Sequence, residues 1–200
     1  MDWREIVAWV MSALLLAPIS AALRADVPPE ADRWQREVVR AVHTHHGLDG
    51  PVALHGAIIH QESRWQDDAE SPVGAQGLAQ IMPATAEHAA ELIGRDTLDP
   101  MDPRQAIRGM AAYTAWIRDR VDPTEAPWAM TLSAYNGGVG WLQRDREQAD
   151  EPDRWWCAVE DIQTRGDAAH EENRHYVREI MLEHQPRYLR AGWQGPRVYR

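Results

Sequence analysis

The chain has 200 residues, 44% hydrophobic and 26% charged, which suits one folded domain with a real core and excludes a disordered or fibrous chain. Its formal charge is −10, and all 21 basic residues are arginine; without lysine there is no phosphate-loop lysine, no Schiff-base lysine and no Ser-Lys dyad. The single cysteine excludes an intrachain disulfide and a cysteine-rich zinc site, and an acidic chain with no dense basic run is not expected to bind nucleic acid.

Residues 6–23 (IVAWVMSALLLAPISAAL) carry no charge and reach the lower limit of a membrane span. The break at Pro18 and the small-x-small pair Ser20 and Ala22 favour a signal peptide over residues 1–25. Asp2 and Glu5 offset Arg4, so an uncleaved anchor that associates the chain with the inner membrane stays open.

After a short linker, Trp34, Val38, Ala41, Val42 and His45 recur at helical spacing up to Gly47. A second helix opens near Asp49 and Pro51 and runs to Ser63, and a third runs from Pro83 to near Gly94. Asp102, Pro103 and Gln105 form a capping-box start for a long fourth, with Ile107, Met110, Ala111, Thr114, Ile117 and Val121 along one side. Pro127 leads WAMTLSAYN into the Gly137-Gly138 stop, and a short helix follows around Trp141. A final helix holds Tyr176, Val177, Ile180, Met181 and His184 and is expected to end before Pro186. Nothing alternates long enough to be a strand, and the polar stretches 64–76 and 143–154 read as candidate functional loops.

Glu62 is the unusual carboxylate, because it follows Leu54 and Ile58 at i+4 on an apolar stripe. A carboxyl group there loses hydration, which raises its pKa and suits it to donate a proton near neutral pH. The plain alternative is a helix-end glutamate paired with Arg64 or another arginine.

The motifs around it decide between these. ES-x-W at 62–65, GA-x-GLAQIMP-x-TA at 74–86, AYNGG at 134–138 and NRHYV at 173–177 together resemble the soluble lytic transglycosylase (SLT) domain of the lysozyme-like superfamily, in order and spacing, over residues 50–185. The resemblance implies a mainly α, lysozyme-like helical domain with a glycan-binding groove and little or no β-sheet, over residues 26–190, with 191–200 as a tail. That tail is either a wall-contact segment or, more simply, packs back on the domain.

The resemblance further implies cleavage of the bond between N-acetylmuramic acid and N-acetylglucosamine in peptidoglycan glycan strands, leaving 1,6-anhydro ends, with no cofactor and no metal. Glu62 matches the family's catalytic glutamate, acid first and then base. Ser63 and Gln80 match positions beside it in the groove, Tyr135 and Asn136 match the AYN motif, and Tyr176 matches a late tyrosine near the acid. Gly74 and Gly77 allow the tight path of the intervening loop, under which Ile81 and Met82 are expected to pack. Ala79 departs from the family's common methionine, which is expected to remove a large side chain from the groove. Only Trp65 of the ten tryptophans lies in a motif.

The remaining readings are a muramidase, such as a phage-type endolysin, and a silent peptidoglycan-binding protein. Asp67, Asp68 and Glu70 are the available second carboxylates of a hydrolase, though acids in a polar loop are more often solvated. His43, His45, His46, His55 and His60 lack metal-ligand spacing and are expected to be exposed or lightly buried. An exported enzyme of wall remodelling, secretion or phage lysis fits the sequence equally well.

Overall fold

The computed structural model describes residues 27–199, which are helical with no strand among them; residues 6–23 lie outside that range. The helices are α1 (Pro29–His46), α2 (Val52–Ser63), α3 (Pro83–Leu92), α4 (Pro103–Val121), α5 (Pro127–Gly137), α6 (Val139–Gln148), α7 (Asp167–Arg178) and α8 (Gln185–Arg190). No helix among the described residues is long and apolar enough to cross a membrane.

Local chemistry explains most of these boundaries. Asp102 accepts from the backbone N–H of Arg104 and Gln105, so α4 begins on the N-cap its sequence announces. The reciprocal half of the capping box does not form, because Asp102 N–H donates to Asp99 O, Gln105 Oε1 accepts from Asp99 N–H and Gln105 Nε2 donates to Asp102 Oδ2 at 3.2 Å. Helix α2 is buried on every side from Val52 to Ile59. It is therefore the central helix of the domain, with α1 on one side and the C-terminal helices on another. It ends where Arg64 turns left-handed (φ 52°) and its N–H bonds His60 O.

The expected stop at Pro186 does not occur. A π-helical turn, Glu179–His184, links α7 to α8, and Pro186 sits in the first turn of α8, where its missing N–H is tolerated. The chain thereby delivers Tyr188 to the back of α2, where its hydroxyl accepts from Trp65 Nε1 at 2.5 Å. The tail packs back: Trp193 lies against Tyr188 and Trp65, Ala53 N–H bonds Gln194 O, and Gln185 holds Pro196 O and Val198 N–H. Trp65 is consequently a core residue, 2% exposed.

His55 is fully buried on α2, not lightly so, because partners exist for both ring nitrogens. Nδ1–H donates to Pro51 O and Nε2 accepts from the Thr114 hydroxyl, both at 3.0 Å, while His46 Nε2–H donates to Ala111 O. Burial holds His55 down at about 3, and His46, His60 and His184 down at about 4. Below the ordinary histidine value of 6.5 the unfolded chain takes up protons that the folded chain refuses, so stability falls as pH drops from 6.5 towards 4. Each refused proton steepens the loss by about 1.4 kcal/mol per pH unit. Thermal unfolding between pH 7 and pH 4.5 checks this, and a flat Tm counts against it.

Candidate active site

Glu62 stands one residue before the end of α2, half-buried at the wall of a cavity of about 270 Å³. Tyr176, on α7, donates its hydroxyl to Glu62 Oε1 at 2.5 Å. Burial raises the Glu62 carboxyl to about 7; the tyrosine bond pulls it down, and the charge of Glu172 pushes it further up. Glu62 makes no ion pair among the described residues, so the pairing with Arg64 does not form, and Arg64 is exposed. Burial and the nearby Glu62 charge push the Tyr135 and Tyr176 phenols well up, so both stay protonated donors.

The loop between α2 and α3 folds over this carboxylate through two isolated antiparallel bridges, Glu70 with Gln76 and Gln76 with Ile81. Ser63 does not reach the cavity. Its Oγ donates to Leu78 O at 2.8 Å and accepts from Trp65 N–H, so it supports the loop from behind. Gln80 does line the cavity, in a left-handed turn (φ 45°), but its amide hydrogens are taken by Ala69 O and Gly77 O. Its side-chain carbonyl is the group left for a ligand.

Ala79 is fully buried, and its carbonyl accepts the Tyr135 hydroxyl at 2.8 Å; its side chain therefore faces the core and not the groove. Met82, expected to pack underneath, is 41% exposed and lines the cavity together with buried Ile81. The reason is the backbone: Met82 is the extended residue that caps α3, which turns its side chain outward.

Tyr135 and Asn136 line the far wall from the end of α5. Asn173 of α7 ties this wall to Tyr176: it accepts from Ser133 Oγ at 2.7 Å and donates to Ser133 O and to Asn136 Oδ1. Six further residues that the sequence reading did not single out also line the cavity: Ser71, Val73, Ala75, Thr85, Tyr113 and Glu172. Ser71 carried a legible signal, since the small polar residue three before Gly74 begins the tight turn and accepts from Ala75 N–H. Glu172 is adjacent to the NRHYV motif, yet nothing in a single helix shows that it faces a carboxylate on another.

Glu172, and not Asp67, Asp68 or Glu70, is the second carboxylate of the cavity. Replacing it with glutamine removes a negative charge near Glu62, so the Glu62 carboxyl is expected to titrate at lower pH than in the parent chain. A pH profile of Glu172→Gln tests the sign, and a shift to higher pH contradicts it.

A helical domain with a buried, protonatable carboxyl at the wall of a cavity is a lysozyme-like arrangement. The Transglycosylase SLT domain family model matches residues 48–157, and the chain belongs to that family. The match includes Glu62, Gln80, Tyr135 and Asn136, whereas Tyr176 and Glu172 lie beyond it. The membrane-bound lytic murein transglycosylase F 1 of Alkalilimnicola ehrlichii is 34% identical over 182 residues, 80% of this chain and 34% of that protein. The membrane-bound lytic murein transglycosylase F of Pasteurella multocida is 34% identical over 110 residues, 51% of this chain and 21% of that protein. The chain thus spans between a fifth and about a third of these relatives' length. Among solved structures, an inactive mutant of the lytic transglycosylase Slt of Pseudomonas aeruginosa superposes with a TM-score of 0.64 at 24% identity, over 86% of this chain and 26% of that one. The 70 kDa soluble lytic transglycosylase of Escherichia coli does so with 0.62 at 22%, over 84% and 26%. Both share the fold.

Proposed function

We propose that the protein is a murein lytic transglycosylase with Glu62 as its acid and base. The observation that carries this reading is the Glu62 carboxyl, raised to about 7 by burial and held by Tyr176 at the wall of a groove, in a chain of the SLT family. A carboxyl at that value is protonated in half of the molecules at neutral pH, so one group can serve both directions of proton transfer.

In the first step Glu62 gives its proton to the glycosidic oxygen between the muramoyl and glucosaminyl residues. The C1–O bond breaks, and the substrate's own N-acetyl group assists the positive charge at C1. Glu62, now a carboxylate, takes the proton from the muramoyl 6-hydroxyl as O6 bonds to C1. The product is a 1,6-anhydro end, and no water enters. Gln80, Tyr135 and Asn136 flank the sugar, with Tyr176 orienting the acid and Ser63 supporting the loop. The names of the relatives, membrane-bound lytic murein transglycosylases, favour murein as substrate and a place at a membrane; an exported, periplasmic location, with residues 1–25 as signal or anchor, is part of the same proposal.

Hydrolysis is the second reading, because Glu172 gives the cavity another carboxylate. Mass spectrometry of fragments released from purified murein separates the two. Anhydro ends support the transglycosylase, reducing ends the muramidase, and no fragments at all a binding protein.

A further inference from the structure

The cavity is shorter than a polymer, and an aromatic row continues from it. Tyr135 and Tyr113 line the cavity with ring centroids 5.9 Å apart. One turn further along α4, Trp116 stacks on Tyr113 at 5.6 Å with the planes 15° apart, and His88 of α3 sets its edge against Trp116 at 4.6 Å. One more turn on, Arg120 lays its guanidinium 3.6 Å over the Trp116 ring, and its NH1 donates to Trp116 O. The row runs outward between α3 and α4, from the Thr85 and Tyr113 end of the cavity.

Two features distinguish this row from core packing. Tyr113, Trp116 and His88 are only partly buried, and Arg120 is exposed. The Tyr113 hydroxyl makes no hydrogen bond, and Arg120 has no carboxylate in ion-pair range among the described residues. A guanidinium stacked on indole and tied to a backbone carbonyl has lost much of its freedom before any ligand arrives, yet its charge is unanswered. The Tyr113 phenol offers a donor and an acceptor beside it.

We propose that Tyr113, Trp116 and Arg120 form an outer subsite, continuous with the cavity, that holds a sugar bearing a carboxylate. The proposal rests on the glycan-cleaving reading and adds to it the charge of the unit bound beyond the cavity. In murein that carboxylate has two sources: the stem peptide, or, on a muramoyl sugar that has lost its peptide, the lactyl ether whose carboxyl the peptide had amidated. Either would be read in the same way, by a charge-assisted bond from the Arg120 fork while the aromatic edge excludes water.

The test uses the full chain with Glu62→Gln, so that strands are bound and not cut. Binding of length-matched strands is compared for murein with stem peptides, for murein stripped of peptides with free lactyl carboxylates, and for chitin oligomers, which have no carboxylate. Adding Arg120→Gln is expected to weaken binding of the carboxylate-bearing strands about fivefold, the upper range for an exposed ion pair, and to narrow the gap to chitin. Loss with the stripped strands alone assigns the lactyl carboxylate, loss with the peptide-bearing strands alone assigns the stem peptide, and loss with both shows that the arginine takes either carboxylate. Equal weakening of all three, or of none, overturns the subsite. If the parent chain cleaves murein while Arg120→Gln changes nothing, the subsite alone falls; if it neither binds nor cleaves any strand, the glycan reading falls with it.

Discussion

Glu62→Gln is expected to lower murein cleavage by about 10² to 10⁴-fold while leaving a protein that is more stable than the parent at alkaline pH. The loss of activity follows from the removal of the proton that the leaving oxygen needs; glutamine keeps the shape and still accepts from Tyr176. The stability gain follows from the direction of the pKa shift. Glu62 titrates at about 7 when folded against 4.5 ordinarily, so the folded chain holds that proton more tightly than the unfolded one. The burden of the buried charge is fully present above about pH 7 and disappears as pH falls to 4.5. Its size is on the order of 2 kcal/mol, the full shift being reduced because the group is only half-buried. Urea midpoints at pH 8 and pH 4.5 measure it: the glutamine variant gains at pH 8 and matches the parent at pH 4.5. Retained cleavage refutes the assignment of the acid, and equal midpoints at pH 8 refute the strained carboxylate. The gain opposes the loss expected from the buried histidines, which is read most cleanly in the Glu62→Gln chain.

The sequence shows what short-range chemistry controls. Asp102 caps α4 as written, and the apolar spacing of Trp34, Val38, Ala41 and Val42 places α1 correctly. Pro186 defeats the local rule that treats proline as a stop: the helix runs on through the π turn at Glu179–His184 and buries Gln185 and Tyr188 against Pro196 and Trp65, partners that no local window contains. The same limit applies at the site. Glu62 was legible because an acid on an apolar stripe is an anomaly within one helix, and Tyr135 because it sits in a motif. Ser63 was equally motif-bound, yet its hydroxyl is used by Leu78 O, fifteen residues away in sequence. Glu172 and Tyr113 become cavity residues only when α7 and α4 meet α2 in space. A polar residue beside the acid in sequence is therefore weak evidence that it faces the substrate, since a helix turns it about 100° away.

Gly77→Ala is expected to be the most damaging small substitution in the loop over the acid, and Gly74→Ala, three residues earlier, a mild one. Both glycines have positive φ, +69° and +87°, so alanine at either carries a backbone cost of about 1–2 kcal/mol. They differ in surroundings. A Cβ on Gly74 meets nothing within 4 Å, but one on Gly77 lies 1.9 Å from Pro100 O, a backbone atom in the turn before α4. Neither side can yield cheaply, because Gly77 N–H bonds Ala69 O at 2.8 Å and Gly77 O accepts from Gln80. The substitution therefore costs upwards of about 4 kcal/mol, or the loop lifts away. Lifting breaks the bonds from Ser63 to Leu78 O and from Tyr135 to Ala79 O, which opens the cavity wall beside Glu62 and lets water reach it. Hydration then lowers the Glu62 pKa, so a variant that still folds loses kcat/KM first at neutral pH and least in acid. Thermal unfolding of both variants, with cleavage measured at pH 5 and pH 7, tests the chain of causes. A Gly77→Ala protein as stable and as active as Gly74→Ala removes the rigid loop from the account of how the acid is kept dry.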